Sequence, residues 1–112
     1  MESAMSRKIE HVHTDPAAIA RIQERIEQLP GGAHVSLLME DGEEIEGIVV
    51  VRPSAQLFFG PDGTEGTNAR VRLSQPAMYQ PESVANTDVW LDRIVLVRRL
   101  DPEPQPLPAP GH

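Results

Sequence analysis

Arg70, Arg72, Arg93, Arg98 and Arg99 are spaced through the later half of the chain, where cationic side chains meet β-rich sequence. Arg70 and Arg72 stand two positions apart, so on a strand they share one face. Such a cationic stripe suits phosphates or the acidic tip of another copy of the chain. Arg98 and Arg99 are adjacent and point to opposite faces. Glu40, Asp41, Glu43, Glu44 and Glu46 crowd a short stretch. Hard oxygen ligands of this kind suit Mg²⁺ or Ca²⁺, but the register of a calcium loop is missing, and the run reads as a solvated, self-repelling edge. His11 and His13 make a two-ligand fragment without a cysteine or a third ligand at useful spacing, which fits an unstructured tail better than a metal site. His34 reads as a strand-edge residue. Trp90, the single tryptophan, is expected in the core or at a subunit contact, with a base-stacking platform as the alternative. Tyr79 is a loop anchor or a partner-facing aromatic. Gly60, Gly63 and Gly66 belong to a hairpin loop and do not lead into a helix, so they lack the context of a phosphate cradle. No Ser-His-Asp arrangement or carboxylate pair in a cleft can be assembled. The expectation is a protein with no catalytic residues, no metal and no cofactor.

Composition narrows the classes further. The 112 residues make one domain at most, with 17 acidic against 10 basic side chains and a net charge of −7. Residues 33–100 alone hold six basic and ten acidic groups. Non-specific nucleic-acid binding relies on Lys and Arg releasing condensed counterions, so this balance weighs against it without excluding a local basic face. Cysteine is absent, which removes disulfides, thiolate metal sites and thiol nucleophiles. The longest apolar run, Ile48 to Val51, is far too short to span a bilayer, and the first residues lack the apolar stretch of a secretory signal. A soluble cytoplasmic protein without a membrane partner is expected.

The positioning elements follow from pattern. Residues 1–13 show no period and are expected to fray as a flexible N-terminus. Thr14-Asp15-Pro16 is a helix start, with a capping side chain and a proline at the first helical position. Ile19, Ile22, Ile26 and Leu29 then fall on one helical face, and Pro30-Gly31-Gly32 ends the helix. His34–Glu40 and Glu43–Arg52 read as strands flanking Asp41-Gly42, a hairpin signal that predicts a type I′ turn. Gly47 within the second run predicts a bulge or sharp bend. Ala55–Phe59 is a short third run, 60–66 a turn-rich loop, and Asn68–Ser74 a strand with Ala69, Val71 and Leu73 opposite the arginines. Gln75–Asn86 reads as a long loop, and Thr87–Leu91 and Arg93–Leu100 as closing strands. The domain is thus 14–100, followed by 101–112, which holds five of the eleven prolines and is expected to be a disordered, extended tail.

Val35, Leu37, Gly42, Ile45, Gly47 and Val49 stand in the order and spacing of the first motif of the Sm-like proteins, and Val89-Trp90-Leu91-Asp92-Arg93-Ile94-Val95 loosely matches the second. The chain therefore resembles a divergent bacterial member of that family over about Asp15 to Leu100. The resemblance implies a mainly β fold, an N-terminal α-helix followed by a strongly bent five- or six-stranded antiparallel open barrel, with Asp41, Gly42 and Gly47 as its fold motif. It also implies assembly through the last strands, which puts Trp90, Ile94 and Leu96 at a subunit interface in a homo-oligomer, dimer or ring. RNA-binding members carry an acidic residue, an aromatic or His, and an Asn in the loop after strand two. Here that stretch is Arg52-Pro53-Ser54-Ala55-Gln56. Gln56 is a substitute amide, but no aromatic stands there to stack on a base. Leu91-Asp92-Arg93 replaces the expected Arg-Gly pair. Gln56, Arg70, Arg72 and Arg93 remain the candidate nucleic-acid contacts. A non-catalytic assembly or protein-binding module is the leading expectation, and an RNA chaperone or ribonucleoprotein component the alternative.

Overall fold

The computed structural model describes residues 8–76 and 84–101. Helix α1 (Pro16–Glu27) starts where expected: Asp15 is its N-cap, and its Oδ2 accepts from Ala18 N at 3.1 Å. Ile22 and Ile26 are buried and Ile19 half-buried, so the helix turns this stripe inward as its spacing requires, and Leu29, just past the Gln28 C-cap, is buried with them. Seven strands follow: β1 (His34–Met39), β2 (Glu44–Val49), β3 (Gln56–Phe59), β4 (Glu65–Asn68), β5 (Arg70–Pro76), β6 (Val84–Trp90) and β7 (Ile94–Arg99). A 3₁₀ turn, Leu91–Arg93, joins β6 to β7.

Five strands form one antiparallel sheet in the order β6-β5-β2-β1-β7, while β3 and β4 form a separate two-stranded sheet. The fold is mainly β with one N-terminal helix, as expected. The five-stranded sheet accounts for the strand number the Sm-like resemblance implies, and the β3–β4 hairpin is an addition between β2 and β5. The core gathers Val35 and Leu37 of β1, Val49 of β2, Val71 and Leu73 of β5, Val89 of β6, and Leu91 and Ile94 around the helix stripe.

Several local expectations are corrected. The β1–β2 hairpin exists, but its turn is not type I′, because Gly42 has φ 89° and no non-glycine residue among those described has positive φ. Gly42 N donates to Met39 O and Met39 N to Glu43 O. This is the three-residue hairpin in which a left-handed glycine forms the bulge, and Asp41 Oδ1 steadies it by accepting from Glu43 N. The β3–β4 turn repeats the construction with Asp62-Gly63: Gly60 N donates to Thr64 O, and Thr64 N to Asp62 Oδ1. That last bond holds the Asp62 carboxyl below its ordinary value.

Gly47 is not bulged, since Val35 pairs with it in continuous register. A Cβ there would lie 2.9 Å from Leu73 Cβ and 3.0 Å from Ser74 O. The glycine lets β5 come close to β2 just where β2 begins to pair with it, at Ile48 and Val49. The register shift falls instead between Leu38 and Met39, opposite β7.

The stretch read as a loop from Gln75 to Asn86 begins and ends as paired strand, with Ser74 opposite Asn86 and Pro76 opposite Val84. Tyr79 and the proline tail from 102 onward lie outside the described residues, as do residues 1–7. Residues 8–13 do not fray. Ile9 N donates to Phe59 O at 2.8 Å, and His13 exchanges two backbone bonds with Thr67 at 2.9 and 2.8 Å. This strap bonds to both β3 and β4, and Val12 sits against Gly60 and Gly66.

Candidate interaction surface around the arginine groove and Trp90

Pairing of β5 with β6 decides where the candidate side chains stand. Ala69, Val71 and Leu73 are almost completely buried, so the alternation of a strand turns Arg70 and Arg72 outward. Their cross-strand partners are Trp90 and Asp88. Arg72 donates to both Asp88 oxygens, from Nε at 2.9 Å and from Nη2 at 3.2 Å. That hydrogen-bonded pairing holds the Asp88 carboxyl below its ordinary value, with the charges of Arg72 and Arg70 adding to the effect, and it raises the Arg72 guanidinium. Arg70 lies over the Trp90 ring at 5.5 Å from its centroid, within the range of cation–π attraction. Phe58 meets the same indole edge-on, with centroids 5.4 Å apart and planes at 82°.

Arg70, Arg72 and Asp88 form one side of a groove of about 240 Å³. Its other side is the chain leaving β2, from Val50 to Ser54, together with Gln56. The structure thus brings Gln56, Arg70 and Arg72 together, as a shared surface requires. Arg52 also reaches back to α1, where its Nη2 donates to Glu27 Oε1 at 3.0 Å.

Arg93 stands apart from that groove. With Asp92, Trp90, Asn68 and the strap residues Ile9, Glu10 and His11, it lines a cavity of about 340 Å³. Its Nη2 donates to Glu10 Oε2 at 3.3 Å. The histidines of the strap do not belong to an unstructured tail: His13 Nε2 donates to Asp92 Oδ2 at 2.9 Å, and the His11 carbonyl accepts from Asn68 Nδ2 at 2.9 Å. Asp92 Oδ1 is buried and has no hydrogen-bond partner among the described residues. His11, His13 and Asp92 are each visible as residue types, but only the fold shows that 79 positions of sequence separate a bonded pair. Among the described residues no three His, Cys, Asp or Glu side chains are placed to hold a metal ion.

The expected interface residues divide. Ile94 is 6 % exposed and belongs to the core, because the first residue of β7 faces α1 across Leu91. Trp90 is half-buried between Phe58 and Arg70, while Val95 and Leu96 are exposed. In the sheet order β6 and β7 are the two edges. Arg25 of α1 donates from Nη2 to Val95 O at 2.7 Å, at the position skipped in the β1–β7 register. A helix side chain therefore already occupies one carbonyl that an edge strand would offer to a partner. At the opposite end of β2 the acidic tip is exposed as expected. Glu44 is 3.9 Å from Arg98 and Glu46 is 2.9 Å from His34.

A helix laid on a five-stranded antiparallel sheet, with a glycine of the second strand admitting β5 closely, fits an Sm-like protein in variant form. A solved structure agrees: the crystal structure of XC5848 from Xanthomonas campestris, described as adopting a novel variant of the Sm-like motif, matches with a TM-score of 0.74 and 30% sequence identity, over 85% of this chain and 98% of that one. The chain belongs to the family described as domain of unknown function DUF3247, whose model matches residues 6–100. No curated protein matches it. Among the described residues no helix is long and apolar enough to cross a membrane.

Proposed function

We propose that this protein is a non-catalytic Sm-like assembly or protein-binding module of the bacterial cytoplasm, working as a homo-oligomer. The observation that carries the reading is its outward apolar surface. Val50, Val51, Leu57, Val95 and Leu96 are each more than half exposed, Val51 at 65 %. Small soluble domains gain by covering such side chains, which stand here as two adjacent pairs, Val50 with Val51 after β2 and Val95 with Leu96 on β7. The small core gives the same incentive, since a domain of this size buries a limited share of its surface alone. Light scattering or native mass measurement tests the reading. A dimer or ring is expected, and a monomer at every concentration up to about 100 μM, weaker than a specific interface of standard size normally allows, refutes it. A turnover abolished by a single substitution would overturn the non-catalytic part.

RNA binding is the second reading, favoured by the meeting of Gln56, Arg70 and Arg72 in one groove beside the Trp90 ring. Labelled oligo-uridine and oligo-adenine, titrated at low and moderate salt, distinguish the two. Tight binding that weakens as salt rises supports RNA, and no binding at low salt, where phosphate contacts are strongest, rejects it.

A further inference from the structure

We infer that self-association runs through a contact between the acidic β1–β2 tip of one copy and the arginine groove of another. The inference rests on the self-assembly reading above and names the surfaces that carry it. The groove combines exposed Val50 and Val51 with a local excess of positive charge. Among its lining residues three arginines face one carboxylate, Asp88, and with Arg52 paired to Glu27 of α1 one positive charge is left over, in a chain whose net charge is −7. Arg70 makes no salt bridge among the described residues: it lies over the indole of Trp90, and its charge reaches Asp88 only as a secondary influence on a carboxyl already bonded to Arg72. Arg72 commits Nε and Nη2 to Asp88, while a guanidinium has five N–H donors, so others remain for an incoming carboxylate.

The tip has the complementary make-up. Met39 and Ile45 are half-buried at its base, with Glu40, Asp41 and Glu43 exposed around them and Arg93, which is bonded to Glu10, at the border of the same hollow. Glu40 and Glu43 have no cationic partner among the described residues, and Asp41 is engaged only by the backbone N–H of Glu43. Apolar side chains beside three carboxylates and one arginine match valines beside three arginines and one carboxylate. The two surfaces lie at opposite ends of β2 (Glu44–Val49), on the order of 15 Å apart at the rise of a strand. One molecule cannot bring its own tip into its own groove, so the match is met between copies. The edge of β7 is the less open route, because Arg25 already holds the Val95 carbonyl. A contact between unlike surfaces assembles copies head to tail, or as a reciprocal pair when the symmetry closes.

The test uses the full chain and two variants changed only at exposed positions. The groove variant carries Val51→Asp and Arg70→Glu, and the tip variant Glu40→Gln and Glu43→Gln. Wild-type mass, read by light scattering, is expected to exceed that of a monomer and to fall as salt rises. Each variant alone is expected to associate at least about tenfold more weakly, since charge pairs across an interface are lost or reversed. An equimolar mixture is the decisive sample. The groove variant keeps a native tip and the tip variant keeps a native groove, so the mixture should form one-to-one pairs. Native mass measurement of the two differently weighted chains counts them. If both variants assemble like the wild type, the contact lies elsewhere and this inference fails while self-assembly stands. A mixture that stays monomeric overturns it as well, and a wild-type chain that is monomeric throughout overturns both readings. Should the groove variant lose oligo-uridine binding with its mass unchanged, the groove serves nucleic acid and the inference is wrong.

Discussion

Replacing Gly66 with alanine tests the strap, the part of the structure least expected from sequence. Gly66 lies in β4 and is buried. Its backbone is outside the left-handed region, where among the described glycines only Gly32, Gly42 and Gly63 are found. On backbone grounds alone the change would therefore stabilise the fold by about 0.4–1 kcal/mol, by restricting the unfolded chain. Space decides otherwise. The new Cβ would stand 2.8 Å from Val12 Cβ, 2.9 Å from Val12 Cγ2 and 3.0 Å from His13 O. These atoms are near the main chain and cannot swing away as the end of a long side chain can. Overpacking of this kind costs about 1–3 kcal/mol, so the expected net loss is about 1–2 kcal/mol, since the backbone gain offsets only part of it. Urea unfolding measures it as a lower midpoint at constant slope. In a Val12→Gly background part of the loss should return, with a coupling of about 1 kcal/mol, and the remaining contact with His13 O keeps the rescue incomplete. Amide exchange adds a local readout: His13 and Thr67, which bond each other, should exchange faster in the single variant while Val71 in the core stays protected. Additivity of the two substitutions within about 0.5 kcal/mol, or unchanged protection at His13 and Thr67, would refute the account of the strap.

Gly47→Ala should cost about 2–3 kcal/mol, because the added Cβ meets Leu73 and the Ser74 carbonyl at 2.9 and 3.0 Å; an unchanged thermal midpoint would reject the close approach of β5. Asp15→Ala removes the acceptor for Ala18 N and should lower stability by about 0.5–2 kcal/mol, read by chemical denaturation, with Asp15→Asn retaining most of it. Asp62, Asp88 and Asp101 are all held below the ordinary aspartate value of 3.8, by the Thr64 backbone, by Arg72 and by Arg99 respectively. Groups whose folded value is depressed add stability that is complete above the unfolded value and lost as pH falls through the folded one. The thermal midpoint should therefore be insensitive to these three groups from neutrality down to about pH 5 and decline below about pH 4, and Asp88→Asn should reduce the steepness of that decline; a wild-type slope in the variant would show that the Arg72 pair is not formed.

Elements carried by periodicity were legible. The isoleucine stripe and its aspartate cap gave α1, and the alternation of Ala69, Val71 and Leu73 against Arg70 and Arg72 set the two faces of β5. Asp41-Gly42 announced a hairpin, yet the choice between its turn types depends on one residue's φ, and Asp41 avoids the positive value that type I′ demands. What escaped has a common physical origin. Glu65–Asn68 carries no alternation of apolar residues, because its Gly66 serves to admit Val12 and not to present a side chain. Residues 8–13 have no period, since they are fixed by backbone bonds and by Asn68, Asp92 and Arg93 from far along the chain. Ile94 was expected at an interface because it begins an apolar strand, but the helix packed over Leu91 claims it for the core. Of the candidate contacts, spacing placed Arg70 with Arg72, whereas the separation of Arg93 from them follows from the 3₁₀ turn, which the pattern does not reveal.

The β3–β4 hairpin links these misreadings to the functional question. The resemblance gives the chain after strand two the task of holding a base, with an aromatic among Arg52 to Gln56. In this fold that chain enters a hairpin, and Gln56 is already paired with Asn68 in its ladder. The aromatics arrive from elsewhere: Phe58 from the hairpin and Trp90 from the end of β6 meet edge to face. Phe58 is 6 % exposed, so its ring packs the hairpin onto the sheet and has little surface to offer a ligand. Trp90 is shared among Phe58, Arg70 and the cavity under the strap. A base stacking on its Arg70 side would have to displace a guanidinium already held there. A carboxylate meets no such obstacle: it can pair with Arg70 from the solvent side and leave the indole contact in place. On the proposed contact between copies, Arg70 can therefore take a carboxylate while the strap and hairpin hold Trp90 in place behind it.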